Sequence, residues 1–193
     1  AGSALNYELL IKHQKLSSKR LIISSLAPEG QAFWKSGVSY IYEDIRTTCL
    51  RENYFDNIAC LSTIEHVGLD NTFLYTRDIT KNEQDIFGYL KFLDNLRLLL
   101  RPGGRLFLSF PFGKKKNHGW FQVFDGADVD GMIQRFRPSS YSEDIFIYQD
   151  DSWSHACRSD AEHALCYDIN TEKKYAPDYC AFSRAVACLE LVK

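Results

Sequence analysis

No stretch of this 193-residue sequence reaches the ~20 consecutive apolar residues that a bilayer-crossing helix needs, and clusters such as Leu96–Leu100 are broken by Arg97. No membrane span is expected. The opening Ala1-Gly2-Ser3-Ala4-Leu5-Asn6 lacks a basic region leading into an apolar core, so no secretory signal is visible and a cytoplasmic setting is expected. The six cysteines are too sparse for a disulfide scaffold and form no Cys-x-x-Cys pair, so they read as small apolar residues. Charge of one sign is also lacking: 23 Lys+Arg face 25 Asp+Glu, a net −2, which gives no field to concentrate duplex nucleic acid. Absent too are a Gly-x-Ser-x-Gly elbow, a phosphate-binding P-loop and a His-Glu-x-x-His pair, which removes support for hydrolase, nucleotide triphosphatase and metalloprotease chemistry. No repeat of 20–50 residues is found.

What is present is an average globular composition, 45% hydrophobic and 25% charged, in a length suited to one domain over 1–193. Strand-like and helix-like segments alternate. Asn6–Gln14 has helical spacing, Leu21–Ser24 is a short buried strand, and Ala27–Ser36 reads as a helix opening near Pro28 and stopping at Gly37. Val38–Tyr42 and Phe55–Leu61 are too evenly apolar for half-exposed hairpin strands. Asp85–Leu100 is the clearest helix, with Ile86, Tyr89, Leu90, Leu93, Leu96 and Leu100 on one stripe, ended by Arg101-Pro102-Gly103-Gly104. Arg105–Phe110 is a strand, Val129–Phe136 a helix, and Asp144–Tyr148 and Ala185–Val192 are strands flanking a polar, irregular stretch.

This alternation predicts an α/β fold: a doubly wound, mainly parallel sheet, covered on both faces, with the last two strands antiparallel at one edge. Ligands of such sheets lie beyond the carboxyl ends of the strands, so the loops after Ser24, Tyr42, Leu61 and Phe110 are where function is expected.

Three of these loops carry family-like segments. Glu43-Asp44-Ile45-Arg46, then Tyr54 through Gly68 with Ser62-Thr63-Ile64-Glu65-His66 at its heart, then Leu99-Leu100-Arg101-Pro102-Gly103-Gly104-Arg105-Leu106 together resemble the class I S-adenosylmethionine-dependent methyltransferases. The resemblance covers roughly residues 1–136 and implies a Rossmann-like fold with S-adenosylmethionine as cofactor. It implies that Asp44 accepts from the adenine amino group, that Ile45 contacts the base, and that Ser62 and Glu65 face the cofactor's methionine half. Read without it, Asp44 is a turn cap, Ser62 or Thr63 caps a helix, and Glu65 favours its positive end.

The sequence departs from the family in two places. The glycine-rich loop is represented by Ala1-Gly2-Ser3-Ala4 alone, with Gly2 and Ser3 as its cofactor-binding remnant; the first strand of the fold would then lie upstream of residue 1. The other reading of Ala1-Gly2-Ser3 is an expression remnant. At the end of the Leu21–Ser24 strand, where the family places a carboxylate for the ribose, stands Ser25, which offers one hydrogen bond in place of two charge-assisted ones.

Other groupings are weaker. His155, Cys157, His163 and Cys166 are zinc-ligand types, but their order fits neither paired spacing, so no metal site is expected. Lys114, Lys115 and Lys116 form a charge run in a loop, Phe112–Trp120, expected to be mobile and to attract an anionic acceptor. The expected activity is methyl transfer to a small-molecule or glycan-type acceptor, with His66 and His118 as candidate bases and His118 nearer the transferred methyl. The alternative is a non-catalytic binding or accessory domain of the same fold with a degenerate cofactor site.

Overall fold

The computed structural model describes residues 4–172, 176 and 183–193, so Gly2 and Ser3 lie outside the described residues. Among the described residues nine strands are formed: β1 (Leu21–Ser25), β2 (Val38–Tyr42), β3 (Phe55–Leu61), β4 (Leu100–Pro111), β5 (Lys116–Asn117), β6 (Gln122–Val123), β7 (Ser140–Gln149), β8 (Ser152–Ala156) and β9 (Ala185–Val192). They make a parallel β1–β2 pair, a five-stranded sheet ordered β3-β4-β9-β7-β8, and a β5–β6 hairpin. In the large sheet β3 and β4 are parallel and every other pairing is antiparallel, so β3, β4 and β7 point one way and β9 and β8 the other.

The helix forms as Gly88–Leu99, shorter than the expected Asp85–Leu100; of the expected stripe Tyr89, Leu93 and Leu96 are buried in it, joined by Phe92 and Leu99, while Ile86 lies outside it and is exposed. With the helix Gly126–Phe136, which buries Val129, Met132 and Phe136, it forms one core with Leu106, Leu108 and Phe110 of β4 and Ala187, Leu189 and Leu191 of β9. Burying each such side chain contributes about 1.5–3 kcal/mol relative to exposure, so this face dominates the stability. The alternate residues on β9, among them Val186, Cys188 and Val192, remain half-exposed. At the helix exit Arg101–Gly104 bulges out, the register jumping from Phe55↔Leu100 to Asn57↔Arg105. Glycine is required there, because a Cβ on Gly104 would stand 3.0 Å from the Phe55 carbonyl oxygen and 2.9 Å from that of Arg101.

Several expected boundaries shift. Ala27–Ser36 is not a helix; only the 3-10 turn Trp34–Ser36 forms, ended by left-handed Gly37. Its residues are mostly exposed or half-buried, so no packing offsets the helix-weakening Gly30. Asn6–Gln14 is replaced by two single turns, Glu8–Ile11 and Gln14–Ser17, the second capped by His13. The last two strands do pair antiparallel, but β9 inserts between β4 and β7, and the outer edge is β8, folded back through Asp150 and Asp151, both at positive φ.

β1 and β3 belong to different sheets and share no ladder hydrogen bonds. Arg20, just before β1, donates from Nη1 to the Tyr54 hydroxyl, just before β3, across 2.6 Å. Beyond this tie the two edges face a common cleft.

Candidate functional site

The cleft has a volume of about 1680 Å³. Leu21–Ser25 forms one wall, Phe55–Leu61 the other, and Phe92, Leu96 and Leu99 an apolar floor. Ser25, Asp44, Ile45, Ser62 and His66 line its end beyond the carboxyl termini of the strands, the place the fold assigns to ligands. Glu65 and His118 are not among its lining residues, nor are Lys114, Lys115 and Lys116.

Asp44 caps the 3-10 turn Ile45–Thr47, accepting the Arg46 main-chain N–H at 2.8 Å. The Arg46 guanidinium then returns onto the same carboxylate, Nε 3.1 and 3.0 Å from its oxygens and Nη2 2.6 Å from Oδ2. Its Nη1 and Nη2 also reach Glu83, at 2.5 and 2.6 Å. One guanidinium thus joins two cleft-lining carboxylates. Partial burial raises the Asp44 pKa, and the hydrogen bonds and charge of Arg46 outweigh that, leaving it below the usual value. The implied adenine contact therefore has to share Asp44 with Arg46. The Asp-x-Arg spacing could have signalled that pair; nothing in the sequence points to Glu83, 37 residues on.

Beyond β3 the chain turns sharply. Ser62 stands at φ +47, held by its N–H on the Ser109 carbonyl at 2.9 Å, and its hydroxyl donates to Glu65 Oε1 at 2.7 Å. Glu65 is 1% exposed and its Oε2 has no hydrogen-bond partner. Burial pushes its carboxyl up to about 7 even though the Ser62 hydroxyl pulls the other way. Glu65, expected to face the cofactor's methionine half, is buried and is not among the residues that line the cleft.

His66 does line the cleft, its side chain 20% exposed. Its Nδ1 lies 2.9 Å from the Trp120 carbonyl oxygen. A carbonyl can only accept, so Nδ1 carries the proton and Nε2 keeps the lone pair. Nε2 is 3.9 Å from Glu65 Oε1. Burial lowers the His66 pKa, partly offset by the Trp120 carbonyl. Downstream, Asn71 donates to the His66 carbonyl at 2.8 Å, and Gly68, at φ +84, packs so tightly that a Cβ would lie 2.2 Å from the Asp85 carbonyl oxygen. The Trp120 contact bridges 54 residues and has no local signature.

The Phe112–Trp120 segment is largely folded, not an open loop. Phe112 is buried and bridges Phe124, and Lys116–Asn117 pairs with Gln122–Val123. Lys115 is paired with Asp128 and Lys116 with Glu172, and all three lysines are exposed. His118 is turned inward, its side chain 1% exposed and stacked on Phe121 at 4.4 Å. It borders a separate hollow of about 480 Å³ with Trp120 and Phe73. His118, expected nearer the transferred methyl, does not line the larger cleft. The zinc-type residues are engaged separately: His155 with Asp144, His163 with Glu162, Cys157 with Asp160. Among the described residues no group of three or more metal-ligand side chains converges.

No protein-family model matches the sequence, and no curated protein matches it. Solved structures do resemble the fold. The N-methyltransferase NodS from Bradyrhizobium japonicum WM9, in complex with S-adenosyl-L-homocysteine, superposes with a TM-score of 0.52 at 14% identity, over 93% of this chain and 70% of that one. The 1,6-didemethyltoxoflavin-N1-methyltransferase of Burkholderia thailandensis, with bound 1,6-didemethyltoxoflavin and S-adenosylhomocysteine, gives a TM-score of 0.49 at 14% identity over 90% of this chain. This chain spans 61% of that enzyme's length. The fold is therefore that of the class I S-adenosylmethionine-dependent methyltransferases.

Proposed function

We propose that the chain takes part in S-adenosylmethionine-dependent methyl transfer, with the cleft between β1 and β3 as the cofactor side and His66 as the proton acceptor. The observation that carries this reading is the convergence of Ser25, Asp44, Ile45, Ser62 and His66 on one cleft at the carboxyl ends of three strands. The donor set fits the cofactor: a hydroxyl at Ser25, a carboxylate and an apolar side chain at Asp44 and Ile45, a hydroxyl at Ser62. Ser24 adds a buried hydroxyl oxygen without a partner in the same wall. When bound, the cofactor supplies a methyl already activated by sulfonium charge, so the protein's work is to position the acceptor and take its proton where one must leave.

His66 suits that second task. Its Nδ1–H is fixed on the Trp120 carbonyl, so Nε2 is free to accept. Lys114, Lys115 and Lys116 are solvent-facing on the segment that carries Trp120, and we assign them weak attraction for an anionic acceptor of small-molecule or glycan type. We assign Gly2 and Ser3, which lie outside the described residues, to the same cofactor side. Calorimetric titration of the chain with S-adenosylhomocysteine tests the reading, and absence of binding, with or without added N-terminal residues, overturns it.

A further inference from the structure

The Ser62–His66 turn contains a buried carboxyl that cofactor binding leaves unused. Glu65 is enclosed at 1% exposure with Oε1 held by Ser62 and Oε2 unpartnered, and Oε1 faces the only lone-pair nitrogen of His66 at 3.9 Å. Leaving an ionised carboxylate so enclosed is costly unless an opposite charge or proton is at hand. Among the described residues His66 is the one basic side chain within 4.0 Å of it.

We propose that Glu65 is a positioning residue for His66, the two side chains holding one proton between the Glu65 carboxyl and His66 Nε2. This rests on the reading of His66 as proton acceptor. With Nδ1–H committed to Trp120, the shared proton has two places only: on Glu65, leaving a neutral acid and a neutral imidazole, or on Nε2, leaving a carboxylate and an imidazolium. When Glu65 is ionised, a proton taken from an acceptor by Nε2 arrives beside a negative charge, and the imidazolium is stabilised where the protein otherwise desolvates it. Ser62 sets the balance, since its hydroxyl donates to the ionised form. The neighbouring titratable groups do not compete near neutrality: burial holds the Cys60 thiol far above its usual value and pushes Cys166 up to about 12. On the His66 side the hydrogen-bonding neighbours are the Trp120 carbonyl and Asn71, which do not titrate, and the one other charge acting on the ring is the chain's amino terminus, which lowers its pKa further.

The test is a pH titration of the His66 ring signals by NMR in the whole chain, with the resonances identified by their loss in His66→Asn. The wild-type ring is expected to show a step near pH 7 from Glu65 ionisation, besides its own titration at lower pH. Glu65→Gln is expected to abolish the upper step and keep the lower one. Ser62→Ala, which removes the donor but keeps the carboxyl, is expected to move the upper step to higher pH, and it serves alone where Glu65→Gln fails to fold. No upper step in the wild type, or a step that neither substitution removes or moves, overturns the proposal. Methyl transfer plays no part in this measurement. Loss of S-adenosylhomocysteine binding strikes the methyl-transfer reading while leaving the shared proton standing, and the converse result does the reverse.

Discussion

His66 and Trp120 are joined by a 2.9 Å hydrogen bond from an imidazole nitrogen to a main-chain carbonyl, with their rings 5.0 Å apart. The bond ties the turn after β3 to the segment after β4, and it selects the His66 tautomer. His66→Ala removes both functions. It is expected to lower methyl transfer by about 10²–10⁴-fold, the range for losing a positioned base, while S-adenosylhomocysteine affinity by calorimetry stays close to wild type. Equal loss of both identifies His66 as a binding group instead.

Gly68 fixes where His66 points, because the chain two residues beyond His66 is pinned against Asp85 at the entrance of the Gly88–Leu99 helix. The Asp85 N–H donates to the Gly68 carbonyl at 2.7 Å, leaving no room for a side chain. Gly68→Ala combines a positive φ with a backbone clash and should cost about 2–4 kcal/mol in denaturant unfolding. Gly103, also at positive φ but with open space around a Cβ, should lose only about 1 kcal/mol on the same change.

Much of this frame is legible in the residues. The stripe Tyr89, Leu93, Leu96 and the stop at Pro102-Gly103-Gly104 mark the long helix and the strand after it, because periodicity and backbone restrictions are local properties. The Asp125 capping box with Asp128, which starts the second helix at Gly126 rather than Val129, is local too and could have been read. What eludes the sequence is non-local. Whether Glu65 faces the cleft or the interior depends on the turn that places Ser62 at positive φ, and whether His118 is a base or a stacked ring depends on Phe121 across the hairpin. β8 escapes because all but the last of its residues are exposed, leaving no apolar alternation to detect.

Stability should depend on pH through two buried groups of opposite sign. Glu65 has its carboxyl raised from 4.5 to about 7, so the folded state holds the extra proton. Its contribution is full below pH 4.5 and is lost as pH rises through about 7, amounting to about 3 kcal/mol across that window. His118 is lowered from 6.5 by burial, with Lys116 adding to it, so the unfolded chain holds the extra proton and stability falls as pH drops below 6.5. Urea unfolding from pH 4 to 8 should show Glu65→Gln gaining on the wild type as pH rises, and His118→Phe gaining as it falls. A pH-independent difference for either variant removes that residue from the account.

The three lysines should act on association rather than on folding. The Lys115–Asp128 and Lys116–Glu172 pairs involve half-exposed ammonium groups, and such surface pairs are worth about 0–1 kcal/mol. Replacing Lys114, Lys115 and Lys116 with serine is expected to shift the thermal midpoint little. Binding of an anionic acceptor should lose its salt dependence, since screening acts over ~8 Å at physiological ionic strength. A salt dependence unchanged by the triple replacement assigns the attraction to other residues.

The Asp44–Arg46–Glu83 junction makes the last prediction two-sided. Asp44 is the carboxylate proposed for the adenine end, yet four contacts from Arg46 already occupy its oxygens. Asp44→Ala should weaken S-adenosylhomocysteine binding by ~1–3 kcal/mol, the cost of a lost charge-assisted hydrogen bond. Glu83→Ala should also loosen Arg46 and lower stability by about 1 kcal/mol, since the pair is only partly screened from water. Arg46→Ala separates the possibilities. If Arg46 competes with the ligand, its removal frees Asp44 and binding tightens; if Arg46 orients Asp44 for the ligand, binding weakens about as much as in Asp44→Ala. Affinity unchanged in both Asp44→Ala and Arg46→Ala places the adenine end elsewhere in the cleft.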